Sequence, residues 1–326
     1  MAEMNMAKAI NKALGEAMAA DERVIMLGAD VGVNGGVFRI TEGLYARFGE
    51  GRVIDTPLAE SAIIGTAIGM AIYGLRPVAE IQFAGFDYYN YHQLESHAAR
   101  FRNRTRGRIT VPMVMRAPCG GGIRALEHHS ESREAIYAHT PGLKVVIPSS
   151  PRNARALLLS AIQDPDPVIY YEPKSLYRAF KEDVPDQPET LPLGQARVVR
   201  SGSDITLISY GASLRPTLEA AEQLQEEDGV SAEVIDLLSI VPLDTVTIVT
   251  SVKKTGRAVV VHEGPRSCGI GAEVAARINE DSLLYLEAPI KRITGYDVPI
   301  PYFSKEKYFL PDADKILQAA RQTLSF

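Results

Sequence analysis

Glu60 is the residue best placed to do chemistry in this chain. It stands in Asp55-Thr56-Pro57-Leu58-Ala59-Glu60-Ser61, just ahead of a run from Ala62 to Gly74 that carries almost no other polarity. A helix apolar all round is buried on all sides. A carboxylate held at its mouth is paired or has its pKa moved, because desolvation disfavours the ionised form. Such groups cluster at functional sites; the plainer reading is a first-turn acid favoured by the helix dipole. A second candidate is the pair His128-His129 in Glu127-His128-His129-Ser130-Glu131-Ser132, a few residues beyond Gly120-Gly121-Gly122. Adjacent histidines point in different directions, whereas a metal site takes spaced ligands from several elements. One histidine in a loop after a strand suits proton transfer or substrate orientation near neutral pH. A surface-loop histidine with no role is the plainer alternative.

The elements that must position these groups are legible as alternating runs. Strands are expected over Val24 to Leu27, Val78 to Phe83, Val111 to Arg116, Lys144 to Ile147 and Val168 to Tyr171. Helices are expected over Met6 to Ala20, from Ser61 onward, over Tyr91 to Arg104 and over Pro151 to Gln163. Continuous apolar strands alternating with helices predict an α/β fold with a parallel sheet covered on both faces. Gly120-Gly121-Gly122 then lies where ligands sit in such sheets, beyond a strand's carboxyl end. Residues 181–192 hold three prolines and several acids, a linker composition. The alternation restarts with strands over Ile205 to Ser209, Ala232 to Leu237 and Ala258 to His262. Helices follow over Pro216 to Glu227, Leu243 to Lys254, Gly271 to Glu280 and after Pro311-Asp312. Two parallel-sheet domains are expected: 1–185 and 201–326, joined by a linker at 186–200.

Composition narrows the classes. The chain has 326 residues, 46% apolar and 23% charged, with a net charge of -5. That balance is ordinary for a globular protein and lacks the basic surplus of a nucleic-acid binder. No run reaches the ~18 apolar residues needed to span a bilayer, and Met1 to Lys12 lacks a signal-peptide core. Two cysteines, Cys119 and Cys268, form no disulfide framework, so a cytoplasmic location is expected. The glycine-rich stretch Gly28 to Gly36 has neither the dinucleotide spacing nor a following Lys-Ser/Thr pair, and reads as a tight loop. Gly65 and Gly69, four apart, allow close packing of their helix, inside the domain or against a second subunit.

Several blocks resemble one family closely: Gly35-Gly36-Val37-Phe38-Arg39, Arg52 to Pro57, Gly74 to Phe83, Pro141 to Val146 and Leu176-Tyr177-Arg178. They occur in order along essentially the whole chain. The family is the β subunit of the thiamine-diphosphate-dependent 2-oxo acid dehydrogenases, the decarboxylating first components of the pyruvate and branched-chain complexes. The resemblance implies a transketolase-like pyrimidine-binding domain followed by a transketolase C-terminal domain. It implies an α2β2 heterotetramer in which the α subunit holds the diphosphate and its magnesium through a Gly-Asp-Gly motif. This sequence has no Gly-Asp-Gly.

By the same resemblance, Glu60 matches the glutamate that bonds N1′ of the aminopyrimidine. Leu58, Gln82 and Phe86 match cofactor-binding positions, Phe86 being the aromatic packed on the ring. His129, favoured over His128 by the Ser130 that follows it, matches the histidine that handles the acyl group and the incoming lipoyl arm. Gly107, Ile109, Ala161, Asp164 and Asp166 fall where some members hold potassium. His92 and Glu131 depart from the common family pattern, which has Asp and Gln there. The implied partners are the α subunit, a lipoyl-bearing dihydrolipoyl acyltransferase and a 2-oxo acid. Ala79 to Phe83 and Tyr171 to Arg178 match branched-chain members, so branched substrates are expected. The alternatives are a pyruvate or acetoin dehydrogenase β subunit and, in a different class, a non-catalytic docking subunit.

Overall fold

The computed structural model describes residues 2–326. Seven strands form the first sheet, in the order Ser239–Val241, Lys144–Val146, Val168–Pro173, Val114–Cys119, Arg76–Glu80, Val24–Gly28 and Val53–Asp55. All neighbours are parallel except Ser239–Val241, which runs antiparallel to Lys144–Val146. Alternation of side chains across a strand divides the apolar residues between two faces. Val24, Met26, Val78, Val114 and Val168 face the helices Met6–Ala20 and Pro151–Gln163. Leu27, Ala79, Met115 and Ile169 face the opposite layer, which holds Glu60–Ile72 and Tyr88–Ser96.

The second sheet has five strands, ordered Lys291–Ile293, Ala258–Val261, Ile205–Ser209, Ala232–Asp236 and Arg197–Arg200, the last antiparallel. Arg197–Arg200 therefore lies inside the stretch expected to be linker. Glu182–Val184, just before it, pairs with Ala2–Met4. Ser239–Val241 leaves the second half of the chain to complete the first sheet.

Helix starts follow their caps. Asn5 accepts from the Lys8 N–H at 3.0 Å, and Ser150 caps a helix whose first residue is Pro151. Asp244 and Asp312 cap Thr245–Thr255 and Ala313–Leu324. The helix expected over Tyr91 to Arg104 is broken. It ends at Ser96 and resumes after a 3-10 turn at Phe101–Arg104. Gly142 packs so closely there that a Cβ on it would land on the Ala99 carbonyl.

The Ser61 helix also departs from expectation. Ile63, Ile64, Ala67, Ile68 and Ala71 are buried, but Ala62, Thr66, Gly69 and Tyr73 are exposed. Its apolar composition covers a face that this chain alone leaves bare. The Gly28–Gly36 loop is filled from within, because Asp55 accepts from the N–H groups of Gly32 (2.6 Å) and Val33 (3.2 Å).

Beneath the carboxyl ends of three central strands lies a buried charge cluster. Arg116, 1% exposed, donates to Glu172 at 2.7 and 3.0 Å and to Glu80 at 2.8 Å. The Tyr177 hydroxyl donates to Glu172 at 2.6 Å. Burial pushes the Glu80 carboxyl up, against the pull of Arg116.

Candidate functional site

The parallel strands deliver their loops to one edge of the sheet. Glu60 follows Val53–Asp55; Gln82, Phe83 and Phe86 follow Arg76–Glu80; the Gly120 loop and His129 follow Val114–Cys119. The chain runs from Val24–Gly28 out to Val53–Asp55, then back across to Arg76–Glu80. That reversal opens a crevice outside the carboxyl ends. Gln82 spans it, its Nε2 donating to Ala29 O and Asp30 Oδ2, each at 3.4 Å.

Glu60 is the first residue of its helix, after Ala59, which offers no side-chain cap. Its carboxylate is half-buried and meets no polar group among the described residues. The first-turn N–H groups and the dipole stabilise its charge in place of a cap. Ser61 is held by Gln93 Nε2 at 3.5 Å. Leu58, two residues before Glu60, is 68% exposed.

Phe83, Phe86 and His129 form an aromatic cluster. The His129 ring lies 4.2 Å from Phe83 and 5.3 Å from Phe86, both edge-on, and the two phenyl rings are 5.8 Å apart. Gly85 makes this possible, since a Cβ there would land on the His128 carbonyl. His129 Nδ1 is buried with no hydrogen-bond partner. Partial burial first, then the charges of Lys174 and His128, hold its pKa below the usual histidine value. The imidazole is therefore neutral near pH 7. His128 stacks 6.4 Å from Phe86 on the outer side.

The remaining expected residues lie elsewhere, near the junction of Phe101–Arg104 with Pro151–Gln163. Asp164 receives Lys144 Nζ at 2.6 Å, and Asp166 receives Arg102 at 2.6 Å. The carbonyls of Asp164 and Ile109 accept from Arg76 (3.3 Å) and Thr105 (3.2 Å). Both acids are thus paired with the chain's own cations.

Three groups escaped the sequence reading. Phe83 was legible only as the end of a strand. Gly85 has no motif of its own. Lys174, 3% exposed, has a buried Nζ without a hydrogen-bond partner, and burial holds its pKa below the usual lysine value.

The donor set fits one half of thiamine diphosphate. A carboxylate without a partner, an open leucine, an aromatic pair and an orphaned imidazole nitrogen suit an aminopyrimidine and the ring beside it. No group of three His, Cys, Asp or Glu among the described residues could hold the metal of a diphosphate.

The transketolase pyrimidine-binding domain family matches residues 2–179, and the transketolase C-terminal domain family matches residues 194–316. A solved structure titled split gene transketolase, inactive beta4 tetramer, superposes with a TM-score of 0.81 at 24% identity, covering 99% of this chain and 98% of that one. The fold is thus that of a transketolase-like, two-domain α/β protein. Pyruvate dehydrogenase E1 component subunit beta of Acholeplasma laidlawii is 51% identical over 322 residues, 99% of this chain and 98% of its own. The Staphylococcus epidermidis subunit of the same name is 51% identical over 326 residues, all of both chains; that of Staphylococcus aureus is 49% identical over 326. The chain belongs to the β-subunit family of the thiamine-diphosphate-dependent 2-oxo acid dehydrogenases.

Proposed function

We propose that this chain is the β subunit of a pyruvate dehydrogenase, decarboxylating pyruvate together with an α subunit and passing the acyl group to a lipoyl-bearing acyltransferase. The observation that carries the chemistry is Glu60, a half-buried carboxylate with no partner among the described residues. When bound, thiamine diphosphate supplies the electron sink that loss of carbon dioxide from a 2-oxo acid requires. Glu60 holds a proton at the pyrimidine edge, Phe86 and Leu58 orient that ring, and Gln82 braces the crevice. His129, neutral near pH 7, gives or takes a proton as the acyl group reaches lipoyl sulfur. The bare helix face at Ala62, Thr66, Gly69 and Tyr73 supports packing against another subunit in an α2β2 assembly. Among the described residues no helix is long and apolar enough to cross a membrane. Both thiols, Cys119 and Cys268, are free, in keeping with the cytoplasm.

The sequence blocks favoured branched substrates. The relatives at 49–51% identity carry the name of the pyruvate enzyme, which moves pyruvate ahead. Extra methylenes in a pocket are worth only about 1–3 kcal/mol, so overlapping activity is expected. The ratio of kcat/KM for 3-methyl-2-oxobutanoate to that for pyruvate, measured with the α partner, is expected below one; a ratio well above one restores the branched-chain reading.

The chain by itself should bind the cofactor poorly, because no cluster of metal-ligating residues among the described residues could hold the diphosphate's metal. Calorimetry on the isolated chain checks this. Tight magnesium-dependent binding without the α partner would show that the diphosphate site lies here after all.

A further inference from the structure

The loop from Gly120 to Glu131 carries His129 between two supports. Within its own domain it is closed by the Gly120 N–H, which donates to the Glu131 carbonyl at 2.9 Å. Its remaining glycine N–H groups point into the other domain. Gly121 N–H donates to Glu263 Oε2 at 3.2 Å. Gly122 N–H donates to Glu306 Oε1 at 3.0 Å, and Arg124 N–H to Glu306 Oε2 at 2.9 Å. Both carboxylates come from the C-terminal domain, more than a hundred residues along the chain.

The fit leaves no slack. A Cβ on Gly120 would land on the Glu263 carboxylate, and one on Gly121 would meet Ile300 at 3.0 Å and Glu306 at 3.1 Å. Gly120 and Gly122 have φ of 76° and 90°, open to glycine and strained for other residues. Glu306 is buried, 4% exposed, so its two bonds form away from competing water. Charge-assisted bonds of this kind are stronger than neutral ones. On the opposite side, Gly85 presses against His128. The histidine turn is thus clamped between Phe83–Phe86 and two acids of the second domain.

We propose that Glu306, seconded by Glu263, is a positioning residue for His129. The C-terminal domain fixes the glycine loop through its backbone N–H groups, and the loop sets where the imidazole meets the acyl group. This rests on the reading of His129 as the acyl-transfer group. Small displacements of a reacting group are costly, since a misplacement of about 1 Å can cost about 100-fold in rate. Glu306 accepts from the loop's backbone and is not among the groups placed at the cofactor, so its loss should separate two half-reactions. Decarboxylation read with an artificial electron acceptor does not use the lipoyl arm; acylation of a lipoyl domain does.

Glu306→Gln nearly preserves size but turns one acceptor into an amide that faces an N–H. In the complex with the α partner, amide hydrogen exchange across 121–131 should rise about tenfold or more as these bonds open more often. The kcat for lipoyl-domain acylation should fall about tenfold with its KM held, while the acceptor-linked rate changes by less than about twofold. His129→Ala serves as the control. If it is impaired in acylation while Glu306→Gln is not, the clamp is wrong and the role of His129 stands. If neither is impaired, the role of His129 falls and the proposal with it. Equal losses in both half-reactions would make Glu306 merely structural and overturn the proposal. Should Glu306→Gln fail to assemble, Glu263→Ala removes only the Gly121 bond and must show the same split; an unsplit result there overturns the clamp.

Discussion

Glu60→Gln is expected to slow exchange of the cofactor's C2 proton by about 10²–10⁴-fold, the usual loss when a matched acid–base partner is removed. The amide is the same size and can still meet the pyrimidine edge, but it cannot hold or release a proton there. Assembly should be intact, because the carboxylate has no partner among the described residues whose loss would disturb the fold. The measurement is hydrogen–deuterium exchange at C2 in the complex with the α partner. Exchange at the native rate would remove Glu60 from this role.

Arg116→Met should have the largest effect on stability. Among the described residues the guanidinium is the only cation within hydrogen-bond reach of Glu80 and Glu172, and all three are buried. Removing one member of a buried ion group leaves uncompensated charge and typically costs about 3–5 kcal/mol. The strain reaches the site, because the three residues sit on Arg76–Glu80, Val114–Cys119 and Val168–Pro173, two of which launch Phe86 and His129. Chemical unfolding of the variant should show the loss. Replacing Glu80 and Glu172 by Gln and Arg116 by Met together should recover much of it. A single variant as stable as the native chain would show that the acids are satisfied in another way.

The same cluster explains where the sequence misled. Expected strands stopped at Arg116 and Tyr171, where the apolar runs end. The strands run on to Cys119 and Pro173 because Arg116 and Glu172 satisfy each other inside the sheet. Periodicity sees each residue singly and cannot register such a pair. Helices with strong local caps were legible to the residue, as with Met6–Ala20 and Pro151–Gln163. The break at His97 was not; it lies where Gly142, far along the chain, packs against Ala99. The candidate site divides likewise. Glu60 stood out as a lone charge beside an apolar helix, and the His128-His129 pair as titratable groups in a loop after a strand. Phe86, and the choice of His129 over His128, came through resemblance, and Glu263 and Glu306 through nothing local, since their partners are 142 and 184 residues away.

Ser239–Val241 completes the first sheet from the second half of the chain. Cutting the protein at the proline-rich stretch would therefore not yield two finished pieces. The first would keep Lys144–Val146 as a bare edge, with a row of unpaired N–H and C=O groups open to another chain. The strand ties the halves at one edge of the sheet, and the acids that clasp the glycine loop tie them at its centre. A nick near residue 190 should leave the fragments associated, and the first half made alone should tend toward edge-to-edge aggregation.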